Sequence, residues 1–330
     1  MSFIKKKADF NQPLLVKMKD YKLIVAIIVV IILACISLMV GAYDILNNKD
    51  GLEIFFITRV PRTLALMLTG SSMAMSGLVM QLMTQNKFVE PTTTGTIEWA
   101  GLGLILVYLV IPNPTILERM GGAIIFSFIG TMIFFVILRK IRLKSSLIVP
   151  LVGMMLGAII SSISTFVGLV FSMSQSLEIW FAGTFAPIQK GKYEYLFLII
   201  IVSLIIFIMA DKLMVAGFGK DVATNLGLSY DRVILIGTIL ISLTVGVVAS
   251  VIGNLPFLGL IVPNVISIFR GDNLRTNLPW ICVVGMGVIM ACDIISRVLI
   301  MPFEIPVSLI LGTIGSVIFM FLIYRKRSRR

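Results

Sequence analysis

Three arginines could bind carboxylate groups near the ends of long apolar runs. Arg59 and Arg62 stand in RVPR just before one run, and Arg297 stands near the end of another. The planar guanidinium fork of arginine matches the geometry of a carboxylate. Two interpretations stay open. In the first, the arginines snorkel to the membrane surface or form internal ion pairs, as Asp293 four residues before Arg297 indicates. In the second, they dock acidic side chains of a partner protein.

A second candidate interaction site lies in the longest polar connection between apolar runs, residues 211–232. Ala223, Leu226 and Gly227 give this segment a small apolar face between charged residues. It is either a solvated loop or a short helix that seats on a partner protein.

Small and polar residues crowd the apolar run 63–83, where Ser72, Ser76 and Gln81 stand. Small residues let membrane helices approach closely. The GxxxG motif at Gly153 and Gly157 also predicts a close approach of two helices. We favour packing for these positions. The alternative is that run 63–83, which ends in Gln81, also lines a transport pathway.

The composition argues against catalysis within this chain. Histidine is absent, which removes the commonest general base and the commonest transition-metal ligand. Cys35, Cys282 and Cys292 lie inside apolar runs without CxxC spacing, so we expect small buried hydrophobes rather than a disulfide framework or metal site. The GFGK fragment at 217–220 lacks the full phosphate-loop pattern. We therefore predict no cofactor, and any ATP hydrolysis belongs to another chain.

The elements that position these residues are membrane-spanning helices. The chain has 330 residues, of which 58% are hydrophobic and 13% charged, with a mean hydropathy of +1.06. One soluble core could not bury so much apolar material. Because hydrocarbon offers the backbone no hydrogen-bond partners, runs of about 20 apolar residues predict helices. The fold class is an all-α integral membrane protein.

About ten transmembrane helices are predicted. The apolar runs fall at 23–42, 63–83, 97–111, 120–138, 147–170, 193–210, 233–253, 255–269, 279–301 and 305–324. The runs 97–111 and 255–269 are short for a perpendicular crossing. They are the least certain spans.

Basic clusters set the predicted orientation. Residues 1–22 form a basic N-terminal segment, 23–324 the membrane domain and 325–330 a basic tail. By the positive-inside rule both termini are cytoplasmic, as are the connections 139–144, 211–232 and 270–275. The rule also explains the net charge of +12 without a nucleic-acid partner, so we expect contact with membrane lipid and none with nucleic acid.

Four motifs, in order, resemble one transport family. They are RVPR followed by a small-residue span, GLVMQLMTQNKFVEPTTTG (77–95), GNLPFLGLIVPN (253–264) and EIPVSLILGTIG (304–315). The chain resembles the FecCD-like permease subunits of iron–siderophore and cobalamin ABC importers over about residues 20–325. The resemblance implies the type II ABC importer (cobalamin-importer-like) permease fold of ten helices.

The resemblance also implies partners and roles. Two permease subunits, of the same or a homologous chain, would enclose one pathway, with two cytoplasmic ATPase subunits below and an extracytoplasmic siderophore-binding protein above. Arg59, Arg62 and Arg297 match the family arginines that meet acidic residues of the binding protein. The ATNLG at 223–227 matches the coupling region for the ATPase. The sequence departs from common family motifs at NKFVEP (86–91) and at VPN, which ends at Asn264. The NKFVEP form resembles the branch of the family that handles catecholate-type or related ferric siderophores.

Two other classes of function remain as alternatives. An ion-coupled secondary transporter would place ionisable residues at the membrane midplane. Glu98, Asp211 and Asp293 are the acids nearest the spans, and each is expected near an end of its span rather than at the midplane. A membrane enzyme or a structural assembly subunit would need a polar catalytic cluster or a large interaction surface.

Overall fold

The computed structural model describes residues 2–41, 50–141 and 146–327, and the side chains of residues 2–20, 176, 179, 322–323 and 325–327 lie outside this description. The described chain is an α-helical bundle, with a π-helical turn at Phe55–Arg59 and a 3₁₀ turn at Tyr193–Phe197. Its helices are α1 (Ser2–Met39), α2 (Gly51–Ile54), α3 (Val60–Met83), α4 (Thr96–Val110), α5 (Ile116–Lys140), α6 (Ile148–Val170), α7 (Ser174–Phe181), α8 (Leu198–Ile208), α9 (Ala210–Ala216), α10 (Lys220–Asn225), α11 (Tyr230–Val251), α12 (Leu258–Arg270), α13 (Leu274–Val298) and α14 (Val307–Arg327).

Each of the ten predicted apolar runs coincides with a helix. In the part of the chain that the structure describes, six helices are long and apolar enough to cross a membrane. A seventh span results if Tyr193–Ile208 and Ala210–Ala216, bent by 64°, count as one. Three shorter apolar helices, α4, α12 and the start of α14, complete the set. The predicted all-α membrane fold is confirmed.

Burial separates a central helix from peripheral ones. In α3, 78% of the apolar window is buried inside the chain, whereas in α1 the figure is 11%. The outward apolar side chains of α1 and α6 are therefore left for membrane hydrocarbon or a neighbouring subunit to cover. Cys35 lies on the exposed face of α1, so the expectation that all three cysteines are buried is wrong for this one.

Glycine contacts explain why α3 carries so many small residues. A Cβ added at Gly70 would lie 2.6 Å from the carbonyl oxygen of Gly285 in α13. One added at Gly77 would lie 2.0 Å from the carbonyl oxygen of Gly259 in α12. Only hydrogen fits at these crossings, so the backbones of α3, α12 and α13 touch directly.

Helix α12 is short because it begins inside the bundle rather than at its surface. After α11 ends, residues 252–257 lead back into the interior, where Leu255 is fully buried. Phe257 has a left-handed backbone (φ 65) and precedes the first turn of α12. That turn packs at Gly77, 17 residues into α3, or about 26 Å along it. The short length of the apolar run 255–269 reflects this interior start.

Parts of the predicted basic clusters fall outside the described residues. These parts are residues 142–144 of the connection 139–144 and residues 328–330 of the tail. The N-terminal segment 1–22 is described for its backbone, which from Ser2 continues helix α1 without a break.

Candidate docking and coupling sites

Five charged residues from three parts of the chain meet at the start of α3, and we call them the arginine cluster. The π-helical turn and the first turn of α3 supply Arg59 and Arg62. Helix α13 supplies Asp293 and Arg297, one turn apart. Glu304 comes from the connection between α13 and α14. The sequence predicted the three arginines and Asp293 as a group, and the structure adds Glu304.

The carboxylates of the arginine cluster link its guanidinium groups. Arg62 donates Nη2 to Asp293 Oδ1 at 2.7 Å and Nη1 to both Glu304 oxygens at 2.8 and 2.9 Å. Arg297 Nη2 lies 2.6 Å from Asp293 Oδ2. The internal ion pair expected from the four-residue spacing is therefore present.

Two of the arginines also contact the end of α1. Arg297 Nη1 donates to the carbonyl oxygens of Ser37 and Val40, at 2.9 and 2.8 Å. Arg59 lies against Gly41, where an added Cβ would sit 1.8 Å from Arg59 Nη1. The arginine cluster thus fastens α1 to α3 and α13.

Burial within the chain distinguishes the members of the arginine cluster. The side chains of Asp293 and Arg297 are 0% and 2% exposed, that of Arg62 is 10% exposed, and that of Glu304 is 31% exposed. Three positive charges against two negative ones leave the cluster net positive. Buried charges must stay paired, because stripping their water is costly. A docking partner would therefore meet arginines that already hold carboxylates.

The segment 211–232, which we call the linker segment, lies at the opposite end of α3. An added Cβ at Gly219 would lie 2.9 Å from Gln85 Nε2, just past the end of α3. Since α3 has 24 residues, the two candidate sites are about 36 Å apart. The linker segment contains most of the short helix α9 and all of α10. It is therefore helical in part rather than a solvated loop.

The apolar face of the linker segment differs from the predicted set. Ala223 is 0% exposed and packs inside the chain, whereas Leu226 is 67% exposed. Gly227 has φ 79 and follows the end of α10. Phe218 and Val222, which the sequence analysis did not single out, are also exposed. The surface that could contact a partner is formed by Leu226 with these two side chains.

Exposed ion pairs tie the linker segment to its surroundings. Asp231 accepts from Arg139 Nη2 at 3.0 Å and from Lys220 Nζ at 3.2 Å. Asp211 pairs with Arg275 at 3.3 Å, and both side chains are more than half exposed. A cavity of ≈ 250 Å³, lined by Gln81, Phe218 and others, lies between the linker segment and α3.

The polar residues of α3 are enclosed by the chain. Ser72 donates to the carbonyl oxygen of Thr69 at 3.1 Å, and Gln81 donates to that of Gly259 at 3.3 Å. Ser76 is 0% exposed. This burial favours the packing interpretation over a pathway lining for all three residues.

Glu90 is a buried acid that the sequence analysis missed. It lies in the connection between α3 and α4 and is 0% exposed. Its Oε1 accepts from the backbone N–H of Phe257 at 2.7 Å and from the hydroxyl of Thr92 at 2.6 Å. The carboxylate therefore caps the start of α12, where a helix favours negative charge. No local pattern signals this, because the partner lies 167 residues away.

The three acids nearest the predicted spans were expected near span ends. The structure places these acids, Glu98, Asp211 and Asp293, in different environments. Asp211 is exposed, and Asp293, though close to the end of α13, is fully buried. Glu98 stands in the first turn of α4 and faces Gly157, nine residues into α6. In the part of the chain that the structure describes, no group of three or more acids or cysteines is placed to hold a metal.

Comparison with known proteins agrees with this architecture. The model of the FecCD transport family matches residues 16–325, and the chain belongs to that family. The petrobactin import system permease protein FatD of Bacillus anthracis is 67% identical over 93% of this chain and 92% of its own. The corresponding YclN protein of Bacillus subtilis is 40% identical over 91% and 97%.

A solved structure shares the fold. It is described as a metal-chelate type ABC transporter in an inward-facing conformation, and it superposes with a TM-score of 0.80 at 24% identity. The match covers 93% of this chain and 99% of the solved one. This likeness confirms the predicted type II importer permease fold.

Proposed function

We propose that this chain is the permease subunit of an ABC importer and forms half of the translocation pathway for a ferric siderophore. The observation that carries the proposal is the 67% identity to the petrobactin permease of Bacillus anthracis. Petrobactin is catecholate-like, in line with the substrate class that the NKFVEP variant favours. Petrobactin or a closely similar chelate is thus the proposed cargo.

The proposed assembly contains two permease subunits, two cytoplasmic ATPase subunits and a siderophore-binding protein outside the membrane. Exposed apolar side chains on α14, among them Leu309, Val317 and Phe321, offer a surface for a second permease subunit or for lipid. The proposed location is the cytoplasmic membrane of a bacterium, with both termini in the cytoplasm. Such an orientation places the arginine cluster outside and the linker segment inside.

Arg59, Arg62 and Arg297 are the proposed docking residues for the binding protein. Supporting this role, the arginine cluster has one more positive than negative charge and lies at the end of α3 remote from the linker segment. A net positive, weakly hydrated site attracts carboxylates of a partner protein.

The linker segment is the proposed contact for the ATPase. Exposed Leu226 would insert into the ATPase surface, while buried Ala223 and the turn at Gly227 would hold α10 in place. ATP-driven movement of the ATPase dimer would tilt α9 and α10 and, through α3, alternate access to the pathway. The permease itself performs no chemistry on its cargo.

Reconstitution tests the proposal. The chain is purified in detergent with the proteins encoded beside it, placed in lipid nanodiscs and assayed for ATP hydrolysis with and without binding protein loaded with ferric petrobactin. We expect a stable complex whose hydrolysis the loaded protein stimulates. A permease that associates with no ATPase, and that transports when ATP is depleted but an ion gradient is kept, would instead indicate a secondary transporter.

The substrate class is tested separately in cells. Deletion of the gene should abolish uptake of radioactive iron bound to petrobactin while uptake from a hydroxamate siderophore continues. The intact gene should restore uptake, and Leu226→Asp should not, because a charge would be forced into an apolar contact. Equal loss of uptake for both chelates would contradict the catecholate-type assignment.

A further inference from the structure

The arginine cluster poses a problem for docking. Arg62 already uses Nη1 for Glu304 and Nη2 for Asp293. Asp293 also accepts from Nε, at 3.2 Å. An arriving carboxylate can therefore form a two-point pair with this guanidinium group only by displacing one of the two. Docking at Arg62 is therefore an exchange of carboxylates rather than a simple addition.

Burial identifies which carboxylate can leave. Asp293 is 0% exposed and bridges Arg62 and Arg297, so its departure would take from two buried cations the carboxylate that they share and leave Arg297 without a paired carboxylate. Glu304 is 31% exposed and touches only Arg62 among the charged side chains for which a contact is given. Water already reaches Glu304, so moving it into solvent costs far less.

The location of Glu304 favours the same exchange. It lies in an eight-residue connection, 299–306, between α13 and α14. Within that connection Phe303 and Met301 are more than half exposed, and Ile305 is tied back by one hydrogen bond to Ser296, at 3.2 Å. A side chain on such a segment can swing away without unfolding a helix.

We propose that Glu304 is an internal stand-in for the binding protein's carboxylate, held on Arg62 until the binding protein docks and takes its place. The inference rests on the proposed docking function. Asp293 stays in position throughout and keeps Arg62 oriented toward the arriving carboxylate. Glu304 thereby lowers the affinity for the binding protein and links docking to release of the 299–306 connection.

Release of this connection would act on the start of α12. The connection leads directly into α14, where an added Cβ at Gly315 would lie 2.5 Å from Cβ of Phe257. Phe257 precedes α12, and its N–H is bonded to Glu90. A shift of α14 therefore reaches the interior helix end through packed backbone contacts.

Stimulation of ATP hydrolysis by the loaded binding protein measures the exchange. The assay uses the nanodisc complex with ferric-petrobactin-loaded binding protein, titrated against wild-type permease and Glu304→Gln. Glu304→Gln removes the competing charge, so the concentration of loaded binding protein that gives half-maximal stimulation should fall about threefold to tenfold. Glu304→Asp keeps a competing carboxylate and should stay nearer to the wild-type value.

Glu53→Gln is the matched control. Glu53 is an exposed acid six residues before Arg59, with the same change of charge but no contact given to the arginine cluster. Its half-maximal concentration should stay within about twofold of wild type. Equal tightening in Glu53→Gln and Glu304→Gln would show a general field effect and overturn the exchange.

Failure of the inference is distinct from failure of the docking role. An unchanged or raised half-maximal concentration in Glu304→Gln would overturn the stand-in role, and Glu304→Ser is judged by the same criterion should the glutamine variant not assemble. The docking role itself is judged by Arg62→Glu in the same titration. Normal stimulation of that variant would remove Arg62 from the docking site altogether.

Discussion

The ion pairs at the two ends of the central helix α3 differ in burial. At the start of α3 the arginine cluster buries its pairs, with Asp293 0% and Arg297 2% exposed. At its other end the pairs of the linker segment stay in water, with Arg139, Lys220 and Asp231 between 55% and 61% exposed. The pairs of the arginine cluster are also the shorter ones, at 2.6–2.8 Å against 3.0–3.2 Å for those of Asp231 at the linker segment.

The difference lies in what happens when one partner is removed. A buried cation that loses its carboxylate has no water to replace it, whereas an exposed one is rehydrated at once. The arginine cluster is therefore a structural joint, and a docking protein must exchange with it. The ion pairs of the linker segment can break and form during movement at little cost.

Removal of Asp293 should give the largest effect. Asp293→Asn leaves Arg62 and Arg297 buried with one carboxylate fewer, which should lower the free energy of unfolding by about 3–5 kcal/mol. The midpoint of thermal unfolding of the detergent-purified protein measures the loss. Asp231→Asn at the opposite end is the control and should scarcely move that midpoint. Equal shifts in both variants would contradict the proposed difference between the ends.

Enlarging Gly77 should break the joint between α3 and α12. Gly77→Ala drives a methyl group against the backbone oxygen of Gly259, 2.0 Å from the new Cβ, so overpacking should cost about 1–3 kcal/mol. Thermal unfolding and iron uptake should both decline. Gly121→Ala in α5 is the matched control, because nothing lies within 4 Å of its added Cβ. A stable, active Gly77→Ala variant would exclude the close crossing.

Glu90 tests whether the start of α12 depends on its cap. Glu90→Ala leaves the N–H of Phe257 buried without an acceptor, which should cost about 1–3 kcal/mol. Glu90→Gln keeps an acceptor oxygen and should lose less. Thermal unfolding of the two variants separates the hydrogen bond from the charge, and identical unfolding of Glu90→Ala and wild type would rule out the cap.

Asp272 forms an exposed ion pair with Lys87, at 2.8 Å between Oδ1 and Nζ. Loss of this pair should have a small effect on stability that depends on pH. Partial burial opposes ionisation, but hydrogen bonds from Lys87 and Ser267 hold the pKa of Asp272 below its usual value. A lowered carboxyl pKa contributes stability that is present above the unfolded value, about 3.9, and is lost as pH falls through the folded value. Asp272→Asn should therefore lower the free energy of unfolding by less than about 1 kcal/mol at pH 7. In acid, the difference in this free energy between the variant and wild type should become smaller. A gap that widens on acidification would reverse this sign.

Leu226 should have the smallest effect on stability. Leu226→Ser changes an exposed side chain of the linker segment, so the free energy of unfolding should stay within about 0.5 kcal/mol of wild type. ATP hydrolysis stimulated by the binding protein should nevertheless fall several-fold. Ser229→Ala, in the same segment, is the control. Full stimulation of Leu226→Ser would remove this residue from the ATPase contact.

Some features of the candidate sites could be predicted from local spacing and others could not. The ion pair of Asp293 and Arg297 follows from four residues of one helix. The bonds of Arg62 to Glu304 and of Glu90 to Phe257 join residues 242 and 167 positions apart. Ala223 was assigned to an outward face, but its burial depends on how α9, α10 and α11 pack, and six residues of helix carry no such information.

The sequence by itself determined the all-α membrane class and the location of ten apolar helices in the described chain, because apolar runs of about 20 residues satisfy their backbone hydrogen bonds in hydrocarbon as helices. Six or seven of these helices are long enough to cross a membrane. The sequence also determined which arginines group together. Only the tertiary structure decided that α12 begins inside the bundle, that Glu90 caps it and that the arginines hold carboxylates of their own chain. These features depend on how distant helices cross, and the crossings are fixed by backbone contacts such as Gly77 with Gly259 rather than by any local pattern.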